Sequence, residues 1–130
     1  MSRSVRIKQF KDKVEKEWTQ KYWSFIRQLP DKDWNWYNLS KNPNITWDII
    51  KDNLSLPWNW VGVSKNPNLT WYIIKENSGK PFDWRQISKS KNITINLIRE
   101  NIDQSWNWEW ISLNPNITID FIKENPGKPW

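Results

Sequence analysis

Few side chains in this sequence are equipped for bond-making chemistry. Histidine and cysteine are both absent from the 130 residues. That removes the usual general base, the thiolate nucleophile and the ligands of most zinc, copper and iron sites. Among the carboxylates, Asp48 and Asp120 occupy one recurring sequence position, where they read as charges at helix starts rather than as an acid–base pair. The three glycines, Gly62, Gly79 and Gly127, are scattered, so no glycine-rich loop can cradle a phosphate. The expectation is a protein that is not an enzyme, with no cofactor and no metal. What the sequence does hold is recognition chemistry: thirteen Trp, three Tyr, four Phe and twenty Lys or Arg.

The elements that position those residues repeat. "DWNWYNLSKNPNITWDIIKDNLSL" (33–56) aligns without insertion on 57–80, 81–104 and 105–128, a period of 24 residues. Pro129 and Trp130 begin a fifth unit. Residues 22–34, "YWSFIRQLPDKDW", fit the same register as a degenerate half-repeat, so the chain divides into an N-terminal segment, 1–32, and a repeat array, 33–130.

Each unit predicts two short helices. Asn35, Asn59, Asp83 and Asn107 are suited to cap a turn that begins at Trp36, Trp60, Trp84 or Trp108 and ends before Asn42–Pro43, since the residue before proline leaves the α region. Thr46, Thr70, Thr94 and Thr118 are suited to cap a second helix of about two turns. Lys51, Lys75, Arg99 and Lys123 then oppose the dipole at its end, and Asn53, Asn77, Asn101 and Asn125 stop it. The fold class predicted is all-α: an α-solenoid of four 24-residue repeats, each a short α or 3₁₀ turn plus an α-helix, behind an N-terminal capping helix.

The segments "VSKNPNLTWYIIKEN" and "PWNW…S.NPNIT..II.EN" carry a family resemblance over residues 22–130. They are similar to leucine-rich variant repeats, whose units pair an α-helix with a 3₁₀ helix. More closely, they resemble Trp-rich "NPN(I/L)T" repeat proteins of giant DNA viruses. The resemblance implies a helical repeat architecture and a viral setting. The third unit departs from it, with Ser90 and Lys91 where the other units have Asn and Pro.

Letters kept in every unit are expected to serve stacking. Trp36, Trp60, Trp84 and Trp108 read as core, and Asn44, Asn68, Asn92 and Asn116 as side chains that satisfy backbone groups in tight turns. The same asparagines match the N-glycosylation pattern, a match read as accidental because "MSRSVRIKQF" lacks the apolar run of a secretion signal. The protein is expected in the cytoplasm of the producing cell or in a virion, not secreted, and with no membrane span.

Letters that vary mark the candidate partner-binding face: Tyr37, Val61, Arg85 and Glu109 in one column, Trp110 beside it, and Tyr72 in another. Basic character concentrates at the N-terminus. Residues 1–28 carry eight Lys or Arg against three Asp or Glu, leaving the remainder almost neutral. Phe10, Val14, Trp18 and Tyr22 make a stripe expected to face the first unit, with Lys8, Lys11, Lys13, Lys16 and Lys21 around it as a candidate basic contact helix. The leading functional expectation is a protein–protein interaction scaffold, a viral structural or assembly component or an adaptor on a host protein. Its partner is another protein, or another copy docked on the unfinished C-terminal end. The alternative is nucleic-acid binding through the basic helix.

Overall fold

Short polar side chains start each helix. Asn35, Asn59 and Asn107 accept hydrogen bonds from the backbone N–H three residues on, and Asp83 from Arg85 and Gln86. Thr46, Thr70, Thr94 and Thr118 cap the second helix of each unit in the same way. The side-chain amides of Asn53, Asn77, Asn101 and Asn125 fold back to donate to the carbonyls of Ile49, Ile73, Leu97 and Phe121 at 2.8–2.9 Å, which closes the helix ends.

The result, in a computed structural model that describes residues 1–130, is an all-helical chain of nine helices without strands. A long helix, α1 (Arg3–Arg27), precedes four pairs: α2 (Trp36–Ser40) with α3 (Trp47–Asp52), α4 (Trp60–Ser64) with α5 (Trp71–Glu76), α6 (Trp84–Ser88) with α7 (Ile95–Glu100), and α8 (Trp108–Ile111) with α9 (Ile119–Glu124). The first helices pack in succession, α2 on α4, α4 on α6 and α6 on α8. One core runs through the array, built from Ile45, Ile50, Val63, Ile74, Ile87, Ile93, Ile98, Ile111 and their neighbours.

Three devices join each unit to the next. The hydroxyls of Ser40, Ser64 and Ser88, buried at the ends of α2, α4 and α6, accept from the backbone N–H of Asn59, Asp83 and Asn107 at 2.8–2.9 Å. Buried Asn66 donates to the carbonyls of Ser40, Asn42 and Ile45 of the preceding unit, and Asn114 donates likewise to Ser88, Ser90 and Ile93. Asn68, Asn92 and Asn116 add a second tier, each bridging two carbonyls of the turn behind it. The conserved letters thus serve stacking, with the Asn66 column as the stronger link.

The third device is aromatic. Trp36 meets Trp58 edge-on at 5.2 Å, Trp60 meets Phe82 at 5.5 Å, Trp84 meets Trp106 at 5.3 Å and Trp108 meets Trp130 at 5.2 Å. Such pairs add roughly 0.5–1.5 kcal/mol beyond their buried area. The indoles of Trp58, Trp106 and Trp130 also donate to the carbonyls of Asn53, Asn101 and Asn125 at 2.7–2.9 Å, so burial leaves no N–H unpaired. Phe82 keeps the apolar contact and forgoes the hydrogen bond.

Two expectations need correcting. Gly62 belongs to a column that varies freely in sequence, yet it is buried, and a Cβ there would lie 2.7 Å from the Tyr37 carbonyl and 2.8 Å from the Ser40 Cβ. It is the close-approach point of α4 on α2, so this column takes part in stacking. The second correction concerns α1. Only its last two turns dock: Ile26 is buried, Trp23 stacks on Trp58 at 5.7 Å, and the Tyr22 hydroxyl accepts from the Asn42 amide at 3.2 Å. Phe10, Val14 and Trp18 are exposed rather than turned to the first unit.

The third unit's departure has a structural cost. Ser90 cannot reach the carbonyls that an asparagine would bridge, and a gap of ≈ 220 Å³ opens there, lined by Ser64, Asn66, Gln86, Ser90 and Asn92 among others. Restoring the donor with Ser90→Asn is expected to raise stability by about 1 kcal/mol, while Asn66→Ala should lower it by about 3 kcal/mol by stranding three carbonyls. Urea unfolding followed by circular dichroism checks both; equal and small shifts would deny the asparagines their role.

Candidate binding surfaces

Among the varying residues of the first helices, Tyr37 and Trp110 lie beneath lysines. Lys41, Lys65 and Lys89 end α2, α4 and α6, one per unit. The ammonium of Lys65 donates to the Tyr37 hydroxyl at 2.8 Å and lies 5.5 Å from its ring centroid, while Lys41 lies 4.7 Å from the same ring. One unit further on, Lys89 sits 4.5 Å over the indole of Trp110. Cation–π contacts of this kind contribute about 0.5–1 kcal/mol where solvent reaches them. None of the three lysines forms an ion pair; the four salt bridges of the structure all lie elsewhere.

Of the residues singled out in sequence, Tyr37 and Trp110 therefore stand in this row, both half-buried beneath lysines. Val61 is half-buried and Glu109 exposed. Arg85 turns to its own helix cap, pairing with Asp83 at 2.6 Å, so its charge is largely spent on structure. That pairing and the backbone N–H groups of α6 hold the Asp83 carboxyl below the usual range. Tyr72 is exposed on α5, outside the row. The lysine column was legible in the repeated "SKN" and "SKS" triplets; that Lys65 reaches an aromatic of the unit before and Lys89 one of the unit after was not, because those contacts span 28 and 21 residues.

A second surface is a cleft of ≈ 870 Å³ between α1 and the edge of the first unit, lined by Asp12, Glu15, Lys16, Trp18 and Trp23 on one side and Asn44, Asp48 and Asp52 on the other. Lys16 of the predicted basic helix points here, and Lys13 pairs loosely with Glu17 at 3.9 Å. Lys8, Lys11 and Lys21 are exposed and unpaired. Nowhere do three metal-liganding side chains converge. No helix is long and apolar enough to cross a membrane.

Three searches for related proteins, among family models, curated sequences and solved structures, find no match to this chain.

The row has a titration signature. Tyr37 loses its proton more readily than an ordinary phenol, first because Lys65 hydrogen-bonds its oxygen and then because Lys41, Lys65 and Lys89 repel the proton's charge. Tyr22 moves the opposite way, raised by burial. A lowered folded pKa means the unfolded chain binds this proton more tightly, so Tyr37 adds stability as pH rises through its folded value, with the full gain above the unfolded one. Ultraviolet titration of Tyr22→Phe and Tyr37→Phe should therefore find Tyr37 ionising first. Lys65→Met should move Tyr37 back toward 10.0, and an unmoved titration would deny the contact.

Proposed function

We propose that this chain is a non-catalytic protein–protein interaction scaffold, with the row of Tyr37, Lys41, Lys65, Lys89 and Trp110 as its recognition face. The observation that carries the reading is the convergence of three unpaired ammonium groups, supplied by three consecutive units, on two partly exposed aromatic rings. A partner that complements it is an acidic segment of another protein, with carboxylates to reach the lysines and apolar side chains to cover the rings. The buried columns that hold the units together are already saturated with bonds to one another, which leaves recognition to residues outside them. The family resemblance suggests the setting, a viral structural or assembly component or an adaptor on a host protein, and the cell cytoplasm or the virion as its place.

Cross-linking mass spectrometry in the native source is expected to join Lys41, Lys65 or Lys89 to one recurrent protein. That protein should co-purify at least about tenfold less with a Lys41→Glu, Lys65→Glu, Lys89→Glu variant, because like charges facing its carboxylates cost more than one decade in affinity. Undiminished co-purification would overturn the assignment of the face. Cross-links confined to Lys8–Lys21, with recovery abolished by nuclease and steeply salt-dependent, would replace the protein partner with nucleic acid.

A further inference from the structure

The long helix α1 carries an apolar stripe that the fold leaves largely exposed: only Trp18, at the rim of the cleft, and Phe25, edge-on to Trp34 at 6.4 Å, meet other parts of the chain. Ile7, Phe10, Val14, Trp18 and Phe25 are 47–70% exposed and recur at spacings of three, four, four and seven, which keeps them on one side of an α-helix. Residues 1–18 are exposed throughout, so the repeats do not sequester this length of chain. Docking takes over at Tyr22, four residues after Trp18, and otherwise uses an adjoining side. Thr19 and Ile26, half-buried and buried, each follow a stripe residue by one position, about 100° further around the axis.

The charges on α1 are sorted as well. Of its three carboxylates, Asp12 and Glu15 line the cleft against the first unit, and Glu17 pairs with Lys13. Arg3, Lys11 and Lys21 fall within less than a quarter turn of the stripe's centre line and have no acidic partner. The helix as a whole holds eight Lys or Arg against three Asp or Glu. An exposed stripe of aromatic and aliphatic side chains, flanked by cations on a helix too polar to enter a bilayer, is complementary to one kind of surface.

We propose that α1 lies along an anionic lipid surface, with Phe10, Trp18 and Phe25 seated at the headgroup level and Arg3, Lys11 and Lys21 extending their stems outward to the phosphates. Two alternatives fit less well. Pairing the stripe with that of a second copy sets two helices of net charge +5 side by side. A nucleic acid would engage the lysines and leave Ile7 and Val14 in water. The lipid surface satisfies both halves of the pattern at once. This inference stands apart from the protein partner assigned to the Tyr37 row, which belongs to other residues and other helices.

The test is co-sedimentation of the full chain with vesicles of phosphatidylcholine containing phosphatidylserine, and with phosphatidylcholine alone. Binding is expected to the mixed vesicles and to be much weaker without the anionic lipid. Phe10→Ser with Trp18→Ser, at exposed positions and with charge unchanged, should reduce partitioning about tenfold. Lys11→Glu with Lys21→Glu should reduce it by more than about 25-fold, at roughly fivefold per charge. Circular dichroism of each variant confirms that the helices persist. The proposal is overturned by no sedimentation with anionic vesicles at low salt, or by binding indifferent to the Phe10 and Trp18 changes. It is equally overturned if light scattering finds a dimer that those two changes dissolve, or if a single-stranded oligonucleotide binds more tightly than the vesicles.

Discussion

Everything in this array depends on giving hydrogen-bond donors to carbonyls that tight turns leave bare. Each "SKNPN" segment ends a one-turn helix and reverses direction within a few residues, which strands several C=O groups against the next unit. An unpaired buried carbonyl costs about 1–3 kcal/mol, so a unit that left three unsatisfied would forfeit most of what its small apolar core contributes. The primary carboxamide is the side chain for this task, because one nitrogen carries two donors and its oxygen can still accept. Asn66 uses both ends: Nδ2 serves the unit behind it and Oδ1 accepts from Asn68 at 2.9 Å within its own turn. The amide is therefore a joint between units and a brace inside one.

Tryptophan solves a different problem in the same place. Two-turn helices present little apolar surface, so each unit must bury large side chains to cohere with its neighbour. Trp58 and Trp106 do this with a ring edge toward the indole of the preceding first helix and an N–H toward a helix-ending carbonyl. The heavy use of tryptophan is thus accounted for by cohesion in most columns. Trp18 and Trp110 are the departures, one on the bare stripe and one under a lysine.

What could be read from sequence was whatever the period repeats. The helix boundaries and caps recur four times, so local signals reinforce one another, and the structure places them within a residue of expectation. The role of the Asn44 column, satisfying backbone groups in tight turns, was legible in kind but not in partner. Less visible was anything fixed by how one helix sits against another. Gly62 looks like free variation beside Asn38 and Gln86, because only the approach of α4 to α2 turns it into a requirement. The N-terminal stripe was legible as a stripe. Which way it faced depended on the angle at which Trp23 and Ile26 dock, and those residues lie about a half and a third of a turn from the stripe. The candidate face was read as a mixed column of Tyr, Val, Arg, Glu and Trp; stacking in register is what lines up Lys41, Lys65 and Lys89 beside it and makes it basic.

The gap at Ser90 gives the array a seam. Units one and two are locked by Asn66, and units three and four by Asn114, but the boundary between those halves lacks such an amide and relies on the outer asparagine, the Ser64 hydroxyl and aromatic contacts such as Trp60–Phe82 and Trp71–Trp84. A chain of otherwise alike links with one slack coupling bends there before it bends anywhere else. Lys65 and Lys89 stand on opposite banks of that coupling. Their separation is thus the softest dimension of the row, and a load pulling on the two ends would be felt first as a change in the distance between those two charges.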